Sequence, residues 1–235
     1  MSRRKGRFAR WVWRSMTICL VFLILYQVWL FAHICWWIKF NPSTSAFMET
    51  RLELMQDKNP QAELKYRWVN YNNISNHLKR ALIAAEDANF LEHEGFDWEG
   101  IQNAYEKNLK RGKIVAGGST ISQQLAKNLF LSTKRTPWRK AEEAIITVML
   151  EGVMDKRRIL EIYLNVIEWG NGVFGAEAAA RHYYQISASQ LSAEKSAKLA
   201  AMVTNPRYYD QHREARGMTR RMGIILNRMD KVGIP

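Results

Sequence analysis

The feature that most constrains this chain is an uncharged apolar run near its N-terminus. Residues 15–38 contain no Asp, Glu, Lys or Arg and include the stretch TICLVFLILYQVWLFAHICWWI. A helix of this length can cross the hydrocarbon core of a bilayer, which is about 30 Å thick. Trp36 and Trp37 end the run, where interfacial aromatic side chains are common. A cleaved signal peptide would have a shorter apolar region and a small-residue cleavage site. The sequence therefore predicts an uncleaved transmembrane helix over residues 15–38.

The charges that flank this run predict its orientation. The residues before it contain no acid and six cations, which are Arg3, Arg4, Lys5, Arg7, Arg10 and Arg14. Because cations are retained on the cytoplasmic side, residues 1–14 form a basic cytoplasmic N-terminus. The rest of the chain is then expected on the periplasmic side of the inner (cytoplasmic) membrane. The net charge of +13 suits an anionic membrane surface, and nucleic acid is not an expected partner on that side.

The chain after the apolar run divides into a linker and one domain. Residues 39–65 combine a short amphipathic stretch with turn-forming residues, which is typical of a linker. Residues 66–235 are numerous enough for one domain with its own core. Helical periodicity dominates them, and period-two alternation is nearly absent outside residues 66–71. Both cysteines, Cys19 and Cys35, lie in the apolar run, so the domain must be held by packing. The predicted fold class is mainly α.

The segment AAEDANFLEHEGFD, residues 84–97, concentrates acids beside aromatic side chains. Glu86 and Asp87 follow a helical apolar pattern, and they are either solvated surface acids or a catalytic carboxylate with a neighbour. Consecutive residues of a helix point about 100° apart, so geometry alone does not choose between the two. The five histidines of the chain form no metal-binding triad, and His93 more commonly holds a loop by hydrogen bonding.

The segment GGSTISQQLAKNLFL, residues 117–131, is typical of a capped amphipathic helix. Thr120 and Gln123 have the spacing of a capping box, and Lys127 follows within the first two turns. A helix N-terminus with free N–H groups, nearby hydroxyls and a lysine also suits an anion. An ordinary surface helix and an anion site both remain consistent with this pattern.

The segment KRTPWRKAEE, residues 134–143, places a group of cations before an acid. Arg139 and Glu143 are four residues apart, which is the spacing of a helical salt bridge. The same density of cations, with Lys134, Arg135 and Lys140, would neutralise a diphosphate. Thr136 and Pro137 predict the start of a long helix that runs toward Met154.

The segment GNGVFG, residues 170–175, matches the glycine spacing of dinucleotide-binding loops. Such loops follow a strand, whereas this segment follows a predicted helix, so the dinucleotide interpretation lacks its structural context. We predict instead a turn between two helices.

Four segments in order give a resemblance to a known family. EDANFLEHEGFD, GGSTISQQLAKN, RKAEE and KRRILEIYLN are similar to the motifs of the glycosyltransferase domain of bacterial peptidoglycan synthases, peptidoglycan glycosyltransferase family 51. The similarity covers about residues 66–209, and the length and single anchor resemble the monofunctional form. Ser122 stands where threonine is frequent in the family, and this difference keeps the hydroxyl group.

The resemblance implies a fold and a reaction. The fold would be a lysozyme-like helical domain with a membrane-associated lobe. The reaction would polymerise lipid II into β-1,4-linked glycan with inversion, releasing undecaprenyl diphosphate from a lipid-linked glycan donor. Glu86 would be the general base for the acceptor 4-hydroxyl, and Glu143 a second catalytic residue. No cofactor would be required, although the family allows a divalent cation, Mg²⁺ or Mn²⁺. Glu143 would either orient the neighbouring cations or hold this divalent cation.

The resemblance also implies binding residues and partners. The partners would be lipid II, lipid-linked glycan, the membrane, and other wall-synthesis or division proteins. The substrate-binding side chains would be those of Asp87, Phe90, His93, Ser119, Thr120, Gln123, Gln124, Lys127, Asn128, Arg135, Arg139 and Lys140.

Two other functions are consistent with parts of the sequence. A lytic muramidase also uses an essential glutamate, but it must protonate an alkoxide leaving group and gains little from dense cations. A non-catalytic membrane scaffold of the wall-synthesis machinery would need neither Glu86 nor the cations. The combination of a carboxylate with phosphate-binding cations favours the synthase.

Overall fold

The structure, a computed structural model, describes residues 2–113, 117–131 and 136–235, with side chains described from Arg10 onward. It consists of two compact units, residues 1–40 and residues 41–235. Within the described residues the helices are α1 (Ser2–Trp37), α2 (Ala46–Gln56), α3 (Asn76–Glu86), α4 (Trp98–Arg111), α5 (Ile121–Phe130), α6 (Pro137–Val153), α7 (Lys156–Val166), α8 (Ala176–Tyr184), α9 (Ala193–Met202), α10 (Pro206–Gln211) and α11 (Arg216–Met229). Short 3-10 turns occupy Tyr71–Asn73 and Ala188–Gln190.

The first unit is the helix α1. Its stretch Arg10–Trp37 has a mean hydropathy of 2.3 over its most apolar window. Among the described helices it is the one long and apolar enough to cross a membrane, judged by length and composition. Most of its large apolar side chains are exposed. This is compatible with a single-pass membrane anchor.

The helices of the second unit begin and end where local capping chemistry predicts. Thr136 accepts a hydrogen bond from the Arg139 backbone N–H, and Pro137 opens α6. Thr120 and Gln123 form the reciprocal capping box of α5. Gly112 ends α4 with a φ of +61°, a left-handed conformation that glycine adopts without strain. The two predicted helix starts, at Thr120 and at Thr136–Pro137, are confirmed.

The core of the second unit lies between two groups of helices. Helix α9 packs against both α3 and α11, and α5 packs against both α6 and α7. The largest fully buried side chains are those of Trp169, Tyr163, Phe90 and Phe174. The end of α3 meets the start of α5, where the Ile121 N–H donates to Oδ2 of Asp87 at 2.9 Å.

The segment 170–175 is a hairpin, so the prediction of a turn between two helices is wrong. Strand β2 (Glu168–Gly170) pairs antiparallel with β3 (Val173–Phe174), and β1 (Lys65–Tyr66) pairs parallel with β3. The order of the small sheet is β1-β3-β2. Strands of two or three residues carry no detectable alternation, which explains why the sequence showed only helices around them.

The segment 39–65, predicted as a linker, packs largely within the second unit. Helix α2 contacts α5, and Arg51 forms a two-pronged ion pair with Glu168 at 2.8 and 3.2 Å. The compact unit accordingly begins at residue 41 rather than at residue 66. The sequence of α2 does not indicate which surface this helix covers.

Candidate active site

Glu86 is the last residue of α3, and its carboxylate is held from two other helices. Its Oε1 accepts a hydrogen bond from Nη2 of Arg221 on α11 at 3.0 Å. Its Oε2 accepts one from Nε2 of Gln124 on α5 at 2.9 Å. The side chain is 11% exposed, so it is shielded but open to a ligand on one side.

The environment of Glu86 makes its carboxylate more basic, and two hydrogen bonds stabilise the ionised form. Burial raises the pKa of the Glu86 carboxyl above its ordinary value of 4.5. The hydrogen bond from Gln124 and the charges of Arg221 and Lys127 lower the pKa and offset part of that rise. A carboxylate with a raised pKa that still receives two hydrogen bonds is suited to accept a proton from a third group.

Asp87, the neighbouring acid, faces the interior. The backbone leaves the helix at this residue, and its carboxylate is only 1% exposed. Oδ2 accepts from the backbone N–H of Ile121 at 2.9 Å, and Oδ1 lies 2.9 Å from Nε2 of His93. Both oxygens of Asp87 are therefore committed to internal contacts, which fits a scaffolding role. Asp87 also lines the cavity that Glu86 faces, so its substrate contact stays a prediction.

His93 and Phe90 belong to the same internal structure. Nδ1 of His93 accepts from the Gly95 N–H at 3.1 Å, so Nε2 carries the proton that His93 donates to Asp87. Phe90 is completely buried. The predicted loop-holding role of His93 agrees with these contacts, while neither side chain offers the open surface expected of a substrate-binding residue.

A cavity of about 360 Å³, called the cation cavity below, is lined by cations from the segments 117–131 and 134–143. Ser119, Gln124, Lys127, Arg139, Lys140 and Glu143 line it, together with Phe47, Arg51, Glu168 and Arg207. Burial lowers the pKa of the Lys127 ammonium, as do the charges of Arg139 and Lys140, while Glu143 and Glu86 act in the opposite direction. The structure thus brings Lys127, Arg139 and Lys140 to one cavity wall.

Glu143 organises this wall. It is 3% exposed, and its carboxylate pairs with Arg139 at 3.0 Å and with Lys140 at short distance. Both carboxylate oxygens are therefore occupied by cations, and the surrounding side chains are mostly basic. No group of three metal-ligating side chains occurs within the described ranges. This donor set does not fit a divalent cation at Glu143, and its geometry fits the positioning of Arg139 and Lys140.

The other predicted residues at α5 lie either in its N-terminal cap or at a cavity wall. Thr120 and Gln123 are buried in the capping box, and Thr120 also donates to the Gly95 carbonyl at 2.7 Å. Asn128 lines a cavity of about 450 Å³ that shares Gln124 and Lys127 with the cation cavity. Arg135 lies outside the described residues.

A further cavity, of about 300 Å³, lies on the other side of Ser119. Glu86 and Ser119 line it, together with Asp97, Asn103, Lys107 and Arg228. Ser119 is exposed and also lines the cation cavity. Glu86 therefore faces one cavity, the cations line the next, and Ser119 lies between them.

Sequence reasoning missed three arginines near these cavities. Arg221 contacts Glu86, and Arg51 and Arg207 line the cation cavity. Arg51 lies in the supposed linker, and Arg221 is one of many cations in the basic C-terminal helix. No local pattern distinguishes them, because their proximity arises only when distant helices pack.

The chain is similar to known proteins over most of its length. Residues 53–230 match the family model described as Transglycosylase. The chain is 68% identical to the biosynthetic peptidoglycan transglycosylase of Methylobacillus flagellatus, over 95% of this chain and 97% of that protein. It is 66% identical to the protein of the same name from Laribacter hongkongensis, over 96% and 99% of the two chains. The protein of that name from Nitrosospira multiformis is 62% identical, over 97% of this chain and 99% of its own.

These matches cover both the helical unit and most of the N-terminal segment. Transglycosylase domains have a lysozyme-like helical fold, so the predicted fold class is confirmed. The chain therefore belongs to the family of biosynthetic peptidoglycan transglycosylases, which are glycosyltransferase enzymes.

Proposed function

We propose that this protein polymerises lipid II into β-1,4-linked glycan strands. The observation that carries the proposal is the position of Glu86, a shielded carboxylate at a cavity that shares Ser119 with a second, cation-lined cavity. One cavity suits a neutral sugar that must lose a proton, and the other suits a charged leaving group. The names of the relatives supply the class of polymer.

In the proposed reaction Glu86 acts as the general base. The 4-hydroxyl oxygen of the acceptor lipid II attacks the anomeric carbon of the lipid-linked glycan donor, and the carboxylate of Glu86 takes the hydroxyl proton. The new C–O bond forms as the bond from the anomeric carbon to the diphosphate oxygen breaks on the opposite face. A sugar hydroxyl is a weak nucleophile, so a positioned base lowers the barrier. The product is a β-linked disaccharide extension with inverted configuration.

The leaving group is undecaprenyl diphosphate, which needs neutralisation and no protonation. Lys127, Arg139 and Lys140 supply positive charge, and Ser119 supplies a hydroxyl donor at the shared wall. Glu143 holds Arg139 and Lys140 in place through the two ion pairs. Since preorganised cations need no rearrangement as charge develops on the diphosphate, they stabilise the transition state.

The proposed substrates and two surfaces of the chain support a location at the membrane. Lipid-linked substrates remain at the bilayer, and α1 would keep the enzyme there, with its basic N-terminus in the cytoplasm and the second unit on the periplasmic side. Exposed apolar side chains of α4, those of Trp98, Tyr105 and Leu109, support a membrane-associated lobe. Other wall-synthesis or division proteins are partners consistent with this location.

The function is tested with full-length protein in detergent, given lipid II. We expect muramidase-sensitive glycan from the wild type and a loss of at least about a hundredfold in rate for Glu86→Gln, with lipid II binding largely kept. Glu94→Gln is the matched control, because Glu94 is an exposed acid of the same segment. This control should polymerise at the wild-type rate.

The same assay separates the alternatives. Shortening of preformed glycan without polymerisation would show a lytic muramidase. No change to either substrate, from protein that remains folded by circular dichroism, would leave the scaffold function and overturn the proposal.

A further inference from the structure

Arg221 forms a direct contact with the proposed base although it lies outside the four segments that carry the resemblance. It lies on α11, and its separation from Glu86 along the chain is 135 residues. Nη2 donates to Oε1 of Glu86 at 3.0 Å and to the carbonyl of Ala85 at 3.4 Å. Nε of Arg221 is buried without a hydrogen-bond partner among the described residues. The polar contacts seen for this guanidinium are thus directed to the end of α3.

The second contact of the Glu86 carboxylate comes from a different direction. Nε2 of Gln124 donates to Oε2, and Oε1 of Gln124 accepts from the hydroxyl of Tyr163 at 2.8 Å. The Tyr163 hydroxyl therefore fixes which end of the Gln124 amide faces Glu86. With α11 holding one oxygen and α5 holding the other, the carboxylate plane of Glu86 is defined, and neither contact alone would define it.

We propose that Arg221 is a positioning residue that fixes the Glu86 carboxylate and keeps it ionised for proton transfer. The proposal rests on the function of Glu86 proposed above and deepens it. Helix α11 packs against α3, so the guanidinium is carried by a helix that already contacts the base. A charge-assisted hydrogen bond of this kind is stronger than a neutral one and favours the charged carboxylate.

Several other charged and polar groups surround Glu86. Lys127 on α5 acts on Glu86 through its charge, and the Tyr163 hydroxyl on α7 lies behind Gln124. The adjacent Asp87 and the cavity-lining Asp97, Lys107 and Arg228 complete the charged surroundings. Among the described residues, Arg221 is the one cation with an ion pair to Glu86. Its removal should therefore change both the orientation and the titration of Glu86.

The sign of the titration effect follows from the environment. Activity requires ionised Glu86, so it is present above the pKa of that carboxyl and lost as pH falls through it. Burial raises that pKa, and Arg221 opposes the rise. Loss of the positive charge at residue 221 should raise the pKa further and move the acidic limb of the kcat/KM profile to higher pH.

The experiment compares Arg221→Met, Arg221→Lys and the matched control Arg220→Met in full-length protein with lipid II. Arg220 is an exposed cation on the same helix, so its replacement removes equal charge without touching Glu86. We expect Arg221→Met to lose about tenfold to a hundredfold in kcat, with the acidic limb moved to higher pH and binding of lipid II largely kept. Arg221→Lys should retain the wild-type limb and recover part of the rate. Arg220→Met should match the wild type.

Two results would overturn this proposal without touching the proposed function. In one, wild-type protein polymerises lipid II and Arg221→Met does so with the same rate and pH profile. In the other, Arg221→Met and Arg221→Lys lose rate equally with an unmoved acidic limb, which would indicate a purely structural role. If circular dichroism shows that Arg221→Met does not fold, Arg221→Lys provides the test. A wild-type acidic limb of its kcat/KM profile with part of the wild-type rate would support the proposal, and a wild-type acidic limb with no loss of rate would overturn it. A wild type that does not polymerise lipid II contradicts the proposed function itself.

Discussion

At the scale of single residues, two neighbouring acids have different environments because α3 ends between them. Glu86 keeps its helical position and opens toward a cavity, whereas Asp87 turns inward to the Ile121 N–H and to His93. The sequence allowed either acid to be the base. The choice depends on where the helix stops, and the C-terminal boundary of a helix without a glycine cap has little local signature.

This difference predicts the result of replacing Asp87. Asp87→Asn would place an amide group where two donors, the Ile121 N–H and His93, now meet carboxylate oxygens. We expect the free energy of unfolding to fall by about 1–3 kcal/mol, because a buried donor is left without an acceptor. Thermal unfolding in detergent, followed by circular dichroism, measures the change.

The control for this prediction is Glu92→Gln, since Glu92 is exposed in the same segment. It should unfold at the wild-type temperature. A wild-type melting temperature for Asp87→Asn would show that the acceptor lost from Asp87 contributes nothing to stability.

At the scale of elements, the start of α5 and the loop after α3 are joined through Gly95. The Gly95 carbonyl accepts from Thr120, its N–H donates to His93, and its φ is +89°. A Cβ placed there would lie 2.7 Å from Cγ2 of Thr147 on α6. This glycine is therefore required both by its backbone conformation and by the close approach of α6.

Replacement of Gly95 by alanine should therefore destabilise the protein more than the same replacement of Gly112. Gly112 also has a positive φ, of +61°, but a Cβ there would meet nothing within 4 Å. Gly112→Ala should cost about 1–2 kcal/mol for the left-handed conformation alone. Gly95→Ala should cost more than this, because the overlap with Thr147 adds to the strain. Urea unfolding of the two variants in one detergent compares them, and equal costs would contradict the close approach of α6.

Prediction from sequence succeeded for elements whose signals are local. Thr120 with Gln123 and Thr136 with Pro137 each mark the start of a helix within a few residues. The small sheet was missed because β1 pairs with β3 across more than a hundred residues, and neither strand has a period. Arg221 was missed for the same reason, since its role depends on α11 packing against α3.

At the scale of the whole molecule, the chain consists of two compact units, to which the proposed function assigns separate tasks. The unit 41–235 contains both cavities and a core of its own, and α1 carries the apolar surface. Confinement of enzyme and lipid-linked substrate to one surface raises their effective concentration. Chemistry should therefore depend on the second unit, and encounter with substrate on the first.

Removal of residues 1–40 should separate these contributions. We expect the shortened protein to polymerise detergent-dispersed lipid II at a rate within about threefold of the full chain, because both cavities are retained. In liposomes its rate should fall by about tenfold or more, since tethering is lost. An unrelated single-span helix in place of residues 1–40 should restore the liposome rate. Equal liposome rates with and without α1 would contradict the role of the anchor.

The placement of both cysteines in α1 has a consequence for how the enzyme unit matures. Cys19 and Cys35 are the two cysteines of the sequence, so residues 41–235 contain no thiol. Folding of this part involves no oxidant, no disulfide isomerase and no choice among pairings. It should reach the same native state in a reducing cytosol as in an oxidising envelope, and its wall-building activity should be indifferent to the redox stress that inactivates disulfide-dependent envelope proteins.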